Sequence, residues 1–187
     1  MSVANEGNSV PEHYAPLAKW LHWIIALLVI GMIPAGIAMA NIQPGPLQDR
    51  LYMLHRSTGL LILALAIVRL FVRVGYGAPP PYAGLTRFER IASTATHHLL
   101  YMLLFFMPIV GWLMASAFGA TTSFYGLFDM PNLVGKNEAL FNVLQKAHFF
   151  GGIAMALLIF MHIGGALMHT FIKRDIVLWR MLPRNWS

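Results

Sequence analysis

The sequence predicts an all-α fold, a transmembrane four-helix bundle with both termini in the cytoplasm. Three observations predict it: the composition, four long apolar segments and an uneven distribution of basic residues. Hydrophobic residues make up 58% of the 187 residues and charged residues only 11%, which is typical of membrane proteins. A chain of this length allows one domain, so we expect a single membrane domain over residues 1–187.

Each of the four apolar segments is long enough to cross a bilayer as a helix. They cover about residues 19–40, 51–74, 98–118 and 147–172, and about 20 apolar residues suffice for one crossing. Pro34 and Pro108 lie inside the first and third segments, where neighbouring helices can satisfy the backbone groups that proline leaves free. The long connection before the fourth segment ends, from Asn137 onward, in what looks like an early start of that helix.

The basic residues predict the orientation of the bundle. By chain order, most of the 13 Lys and Arg residues fall on one side: Lys19, Arg69, Arg73, Arg87, Arg90, Lys173, Arg174, Arg180 and Arg184. The other side has Arg50, Arg56, Lys136 and Lys146. Because cytoplasmic loops carry the excess of Lys and Arg, both termini are expected in the cytoplasm. The same topology explains the net charge of +6, so we expect no nucleic-acid partner.

Histidines inside the apolar segments are the candidate functional residues. His148 and His162 are fourteen residues apart; on a helix they point within about 40° of each other and lie about 21 Å apart along the axis. An ionisable residue in a membrane helix is by default a candidate functional site. With the orientation above, His55 matches the depth of His148 near the outer surface. His22 matches the depth of His162 near the inner surface.

Spacing alone leaves the inner partner of His22 open. His169 is seven residues beyond His162 and only about 20° from its face, so depth also allows His169 as the partner. His97 and His98 begin the third segment and could face the inner site as well. The alternative for these two is a pair of interfacial histidines near a haem or a quinone, and a lone membrane histidine can also be a hydrogen-bonded packing residue.

Two imidazoles at one depth are typical of a haem site. Neutral imidazole is a good ligand for iron, and two per iron leave no open position, so such a site passes electrons rather than binding oxygen. The chain has no cysteine, which excludes disulfides, iron–sulfur ligation and covalent haem attachment. The glycine pairs Gly151–Gly152 and Gly164–Gly165 follow the two histidines of the last segment. They are expected to let a flat macrocycle lie near the backbone.

Basic residues accompany both predicted sites. Arg69 is fourteen residues after His55, so it projects from nearly the same face about 21 Å deeper, at the inner site. Arg69, or Arg73 one turn on, can pair with haem propionates as a charge-assisted fork; the alternative is an anchor that reaches the interface. Arg56 and Lys146 flank the two outer histidines. They are candidates for attracting an anionic reductant or binding propionates, again with interfacial anchoring as the alternative.

Several short motifs carry a resemblance to a known family by their order and spacing. They are Leu21-His22-Trp23, Leu54-His55-Arg56-Ser57-Thr58-Gly59, Val68-Arg69-Leu70-Phe71-Val72-Arg73, His97 with Tyr101 before Met107-Pro108-Ile109-Val110-Gly111, the His148/His162 spacing, and Trp179-Arg180-Met181-Leu182-Pro183-Arg184. From about Tyr14 to the C-terminus, the chain resembles the small bacterial cytochrome b561 family. The resemblance implies that His22 and His162 hold a cytoplasmic haem, which selects His162 over His169. It implies that His55 and His148 hold a periplasmic one.

The resemblance also implies a function. Its members are multi-pass proteins of the bacterial inner membrane that hold two non-covalent, bis-histidine b haems and pass electrons to ubiquinone, and some oxidise periplasmic superoxide. Because superoxide is a small anionic one-electron donor that suits an outer site beside Arg56 and Lys146, we expect a superoxide:ubiquinone oxidoreductase. One alternative is a membrane-anchor cytochrome b subunit that relays electrons between quinone and a separate periplasmic redox protein, docked on residues 119–146. Another is a histidine-lined transporter or proton path without haem.

Overall fold

The computed structural model of the chain describes residues 14–182. Its main elements are four long helices: α1 (Pro16–Asn41), α2 (Pro46–Tyr76), α3 (Arg87–Phe118) and α4 (Glu138–Leu167). Between α3 and α4 lies an antiparallel hairpin of two short strands, β1 (Thr122–Phe124) and β2 (Phe128–Met130). After α4 come a π-helical turn, Met168–Lys173, and a 3₁₀ turn, Trp179–Met181.

The four helices of the described region are each long and apolar enough to cross a membrane, α4 together with its π-helical turn. Large apolar side chains such as Leu27, Phe71 and Phe160 are mostly exposed on them. A soluble protein rarely exposes so much apolar surface, whereas lipid covers it in a bilayer. The predicted transmembrane four-helix bundle is therefore confirmed, and the chain is a multi-pass membrane protein.

Three helices begin at residues that suit a helix start. α1 and α2 begin with Pro16 and Pro46, a position in which the missing N–H of proline costs nothing and its fixed φ is already helical. α4 begins at Glu138, where Asn137 Oδ1 accepts a hydrogen bond from Leu140 N at 3.0 Å. Such a cap satisfies one of the N–H groups that the first turn leaves free.

α3 begins at Arg87, well before the apolar segment predicted from residue 98. Thr86 and Glu89 form a capping box: Thr86 Oγ1 accepts from Glu89 N at 3.3 Å, and Glu89 Oε2 accepts from Thr86 N at 2.9 Å. This pattern satisfies two backbone donors at once and marks the start of a helix independently of hydropathy. Hydropathy therefore located the membrane core of α3 but not its polar first turns.

The helices pack in chain order, α1 against α2, α2 against α3 and α3 against α4. Within residues 14–182, α4 does not pack closely along α1 or α2. Pairs of histidine rings face each other across the space between these helices: His22 of α1 with His162 of α4, and His55 of α2 with His148 of α4. The bundle therefore has a gap between α4 and the α1–α2 pair, spanned by imidazoles at two depths.

One of the four paired glycines of α4, Gly151, does not play the part expected of it. A Cβ built on Gly151 would lie 2.6 Å from the Met107 sulfur, so Gly151 lets α3 approach α4 rather than a macrocycle. Gly164 and Gly165 have no atom within 4 Å of their Cβ positions among the described residues. The prediction that these pairs seat a macrocycle is wrong for Gly151, because helix packing uses that surface.

The two ends of the bundle are built differently. The terminal end holds the start of α1 and the end of α4, and the hairpin end holds the α1–α2 turn and the β-hairpin. The segment 174–182 folds across the terminal end, where Lys19 Nζ donates to Leu182 O at 3.0 Å and Trp23 Nε1 donates to Met181 O at 2.9 Å. Arg184, counted above among the cytoplasmic basic residues, lies outside the described residues.

The β-hairpin is anchored on α2 through a buried serine. Ser57 is fully buried; its Oγ lies 2.9 Å from Ser123 O and accepts a hydrogen bond from Tyr125 N at 2.9 Å. The next residue, Thr58, bonds through Oγ1 to the Tyr125 hydroxyl at 2.9 Å. The hairpin is therefore fixed to the turn of α2 that directly follows a predicted ligand, His55.

Candidate functional site

The four histidines predicted as ligands meet in two pairs. The ring centres of His22 and His162 are 6.1 Å apart, with their planes at 77°. Those of His55 and His148 are 6.2 Å apart, with their planes at 68°. We call the first pair and its surroundings the terminal level and the second the hairpin level. On α4 the two levels are fourteen residues apart, which is about 21 Å along the axis.

Each pair has the spacing of two imidazoles that share one metal ion. A metal–imidazole bond is about 2 Å, and each ring centre lies about 1 Å beyond its nitrogen, so two rings across one metal have centres about 6 Å apart. Among the described residues, no cluster of three or more His, Cys, Asp or Glu could hold a metal ion. Two neutral nitrogen donors per site are the ligand set of bis-histidine haem iron. The residues at both levels therefore fit a haem.

At the hairpin level, both imidazoles lie against glycines of neighbouring helices. A Cβ on Gly36 of α1 would lie 3.3 Å from His55 Cε1, and a Cβ on Gly111 of α3 would lie 3.2 Å from His148 Cε1. The Nδ1 atoms of both histidines are buried and make no well-formed hydrogen bond within residues 14–182, although the backbone of Met107 lies near His148. On each ring, Nε2 is the nitrogen that remains for a metal.

The terminal level contains two guanidinium groups. Arg69 Nε donates to the Tyr101 hydroxyl at 2.9 Å, and Arg69 Nη1 donates to Ala18 O at 2.5 Å. The Arg73 guanidinium lies 5.7 Å from the centre of the Tyr101 ring, and the Arg69 guanidinium lies 5.8 Å from it. The guanidinium groups of both arginines predicted near the inner site therefore lie beside the Tyr101 ring. Two hydrogen bonds hold Arg69 in a fixed orientation.

A third imidazole joins the terminal level. The ring centre of His97 lies 5.0 Å from that of His162, with the planes at 87°. His97 Nδ1 is 2.6 Å from Ser93 O, and because a carbonyl only accepts, Nδ1 carries the proton and Nε2 is left as an acceptor. Of the two histidines whose position the sequence left open, His97 therefore lies beside the terminal pair. His98 Nδ1 contacts Thr94 O at 2.9 Å.

His169, the alternative partner of His22, is engaged elsewhere. It is buried, and its Nδ1 lies 2.6 Å from Asp175 Oδ2. Asp175 Oδ1 also accepts from Val177 N at 3.0 Å. Burial raises the pKa of Asp175, but the hydrogen bonds from His169 and Val177 outweigh it and leave the pKa below its usual value. In this arrangement His162 stands opposite His22, and His169 holds the start of the C-terminal segment.

The two basic residues predicted beside the outer site differ in their surroundings. Arg56 is partly exposed, and its guanidinium donates to Tyr52 O at 3.2 Å and to Thr121 O at 3.3 Å. Lys146 is exposed. It lies two residues before His148, about 200° around the helix, so its side chain leaves α4 on a different face from the ligand.

The hairpin end as a whole carries only a small positive charge. Its described basic residues are Arg50, Arg56, Lys136 and Lys146, and its described acidic residues are Asp49, Asp129 and Glu138. Four positive minus three negative charges leave +1. Attraction of an anion at this end therefore depends on individual groups rather than on a strongly charged surface.

Sequence reasoning missed the two glycines of the hairpin level, although a signal for them exists. Gly36 is fourteen residues beyond His22 on α1, and Gly111 is fourteen residues beyond His97 on α3. This is the same interval that separates the two histidines of α4. A search for every residue fourteen positions from a membrane histidine would have placed both glycines at the level of the other pair.

Comparisons with known proteins agree with this architecture over nearly the whole chain. The prokaryotic cytochrome b561 family profile matches residues 13–184. The chain is 32% identical over 183 residues to cytochrome b561 homolog 2 of Escherichia coli (strain K12), covering 96% of both proteins. It is 28% identical over 174 residues to the probable superoxide oxidase CybB of Yersinia pestis, covering 93% of this chain and 98% of that one. The chain belongs to the prokaryotic cytochrome b561 family.

Proposed function

We propose that this protein acts as one membrane domain over residues 1–187 that oxidises superoxide at the periplasmic face and reduces ubiquinone. The coarser function follows from its family: it is a multi-pass inner-membrane oxidoreductase that transfers electrons across the membrane, and the family implies b-type haem. In the proposed reaction two superoxide anions become two molecules of dioxygen. The two electrons released, with two protons, convert one ubiquinone into ubiquinol.

The observation that carries the proposal is the pair of matched histidine sites on one helix. Their ring separations of 6.1 and 6.2 Å support His22, His162, His55 and His148 as ligands of two haems. When bound, these haems supply one-electron redox chemistry at two depths of the membrane. Two histidines at each site would hold the group and leave no open position on its iron, so the site would supply electron transfer without substrate binding to the metal.

The residues around the terminal level have a second task. Haem carries propionate groups, and guanidinium groups pair with carboxylates through charge-assisted hydrogen bonds. Arg69 is already oriented by Tyr101 and Ala18, and Arg73 lies over the same tyrosine ring. We assign both to propionate binding, in which Arg69 uses the N–H groups that these two contacts leave free.

The proposed electron donor is anionic and approaches the hairpin end. The excess of Lys and Arg at the terminal end supports a cytoplasmic location for that end and a periplasmic one for the hairpin end. The relative from Yersinia pestis named as a probable superoxide oxidase supports superoxide as the donor. Lys146, exposed and two residues from His148, would raise the local concentration of the anion. Arg56, already bonded to two carbonyls, would contribute through its charge.

Stopped-flow reduction of the oxidised holoprotein by superoxide tests the donor. We expect fast reduction that slows as salt screens Lys146. It should slow about twofold to tenfold in Lys146→Gln, because one steering charge is lost. Arg87→Gln removes the same charge from the exposed start of α3 at the other end and should leave the rate unchanged. Absence of reduction by superoxide in the wild type would refute the donor.

The acceptor requires a separate measurement. The holoprotein in detergent or liposomes, supplied with superoxide and a short-chain ubiquinone, should form one ubiquinol for every two superoxide anions consumed. A control without the protein measures direct reduction of the quinone by superoxide, and a control with superoxide dismutase shows that ubiquinol formation depends on superoxide. If the haems become reduced by superoxide but no ubiquinol forms, the donor assignment survives and the acceptor assignment fails.

A second candidate function is a relay subunit for a soluble periplasmic redox protein. The observation that favours it is the tip of the β-hairpin, where Leu127 is 77% exposed and Phe128 is 55% exposed. Such side chains are typical of a docking contact. A relay subunit should co-purify with a redox partner, and substitution of both residues by serine should abolish the association. The superoxide reaction of the isolated protein, in contrast, should not depend on these two residues.

A further inference from the structure

We propose that Gly36 and Gly111 are positioning residues that seat the two imidazoles of the hairpin level and thereby fix the ligand geometry of the haem bound there. The inference rests on the proposed two-haem function and adds two residues to it. Neither glycine contacts the metal. Each acts through the histidine that lies against it, so the prediction concerns geometry and spectroscopy before activity.

The distances leave no room for a side chain at either position. A Cβ on Gly36 would lie 3.3 Å from His55 Cε1 and 3.9 Å from His55 Nδ1. A Cβ on Gly111 would lie 3.2 Å from His148 Cε1 and 3.5 Å from His148 Nδ1. In both cases the closest contact is tighter than ordinary packing, so alanine would move the ring by a few tenths of an ångström. Glycine is the residue that allows this close approach.

The hydrogen bonding of the two rings leads to the same conclusion. A metal-ligating histidine usually donates its second ring N–H to a carboxylate, a carbonyl or water, which fixes the orientation of the ring. In the described part of the chain, Nδ1 of His55 is buried and has no such partner. Nδ1 of His148 is also buried; the backbone of Met107 on α3 lies near it, but the two do not meet in hydrogen-bond geometry. The backbone surface of a glycine on the neighbouring helix takes over the orienting role. Shape, rather than a hydrogen bond, then sets the angle of each ring.

The arrangement occurs twice in the bundle. On both sides the glycine belongs to the helix that precedes the ligand helix: α1 supports the histidine of α2, and α3 supports the histidine of α4. At the terminal level the nearby glycines of α4, Gly164 and Gly165, face open space instead. Both ligand histidines of the hairpin level contact a glycine, and no such contact occurs at the terminal level in the described residues. This difference argues against a chance position of the two glycines.

Substitution by alanine separates this role from helix stability. Alanine in a helix interior is about 1 kcal/mol more favourable than glycine, so Gly36→Ala and Gly111→Ala should not weaken their helices. A metal–nitrogen bond of about 2 Å tolerates little displacement of the ring. Valine adds two further methyl groups at the same point and should displace the imidazole far enough to break the bond.

The experiment compares Gly36→Ala, Gly36→Val, Gly111→Ala and Gly111→Val with two controls in the purified holoprotein. The controls are Gly31→Ala on α1 and Gly75→Ala on α2, where nothing lies within 4 Å of the Cβ position. The readouts are haem per chain by pyridine haemochrome, the low-spin ferric EPR signals, and the midpoint potentials of both haems. None of these depends on turnover.

We expect the valine variants to lose one of two haems per chain. The alanine variants should keep both haems. In them, the EPR signal and the midpoint potential of the hairpin-level haem should shift, and those of the terminal-level haem should not change. Both control variants should match the wild type. Unshifted EPR signals and potentials in all four variants would overturn the proposal. If circular dichroism or gel filtration shows that a valine variant misfolds, the test depends on whether the EPR signal and the midpoint potential shift in the two alanine variants. A wild type with fewer than two haems would instead refute the two-haem function itself.

Discussion

The two histidine levels hold their imidazoles at nearly equal separation but by different means. At the hairpin level the rings lie against Gly36 and Gly111, and their Nδ1 atoms make no well-formed hydrogen bond in the described region. At the terminal level the pair is accompanied by Arg69 and by the ring of His97. One level is built from shape and the other from polar groups.

This difference teaches that one ligand geometry can be fixed in two physically distinct ways. A site held by shape should respond to added volume and be insensitive to charge. A site surrounded by cations should respond to charge, because a positive group favours the reduced state of a nearby redox centre. Substitutions that add volume should therefore affect the hairpin level, and substitutions that remove charge should affect the terminal level.

The largest expected effect is loss of one site with retention of the other. His148→Ala should lose the haem of the hairpin level and His162→Ala that of the terminal level, and each should keep about one haem per chain, because each substitution removes one of the two protein ligands that the site provides. His169→Ala should keep both, because His169 binds Asp175. Pyridine haemochrome analysis of the three variants decides, and loss of one haem in His169→Ala alone would reverse the assignment of the terminal ligand.

A charge substitution should act on the terminal level alone. Removal of the guanidinium in Arg69→Gln is expected to lower the midpoint potential of that haem by about 60 mV, a tenfold change in its reduction equilibrium. Arg69→Lys keeps the charge and should shift the potential less. Redox titration in the His148→Ala background isolates the terminal-level haem. An equal shift in the complementary His162→Ala background would show that the two levels are not separated as described.

The hairpin level should in turn depend on the anchor of the β-hairpin. Ser57→Ala removes, at a fully buried position, the hydroxyl that accepts from Tyr125 N and lies 2.9 Å from Ser123 O, which costs about 1–3 kcal/mol. We expect earlier thermal loss of the hairpin-level haem, followed by its visible absorbance, and no change at the terminal level. Thr58→Ala, which removes a hydrogen bond to the exposed Tyr125 hydroxyl, serves as the control and should have little effect.

The smallest effect concerns the C-terminal segment. Because the pKa of Asp175 is lowered in the folded protein, its hydrogen bonds stabilise the segment above the unfolded pKa of about 4 and are lost as pH falls through the lowered value. At neutral pH, Asp175→Ala should speed hydrogen exchange of residues 175–182 about fivefold, for a loss near 1 kcal/mol. Both haems should be retained. Unchanged exchange would mean that the contacts of Lys19 and Trp23 hold the segment alone.

The sequence predicted the features that recur with helical periodicity. The membrane helices and the depths of the candidate histidines follow from apolar length and from the fourteen-residue interval, because both properties belong to single helices. Helical spacing alone did not choose between His162 and His169, since seven residues return to nearly the same face of a helix, and only the family resemblance favoured His162. The choice on physical grounds required the position of α1 and the acidic partner at Asp175.

Features that depend on two helices at once could not be read from the chain. Gly151 was expected to face a cofactor, yet it packs against Met107, because the distance between α3 and α4 is a tertiary property. The three-residue strands are too short to show an alternating pattern, and the burial of Ser57 depends on the hairpin that covers it. The polar start of α3 was readable from Thr86 and Glu89, but only as a capping pattern and not as hydropathy.

The closure of the terminal end joins the first and last parts of the chain. Lys19 and Trp23, near the start of α1, bind the backbone of Leu182 and Met181. During biogenesis these contacts cannot form until Met181 and Leu182 have left the ribosome, after all four membrane helices. The membrane helices can therefore assemble while the terminal end of the bundle is still uncovered. A haem can then enter from that end before residues 174–182 fold across it.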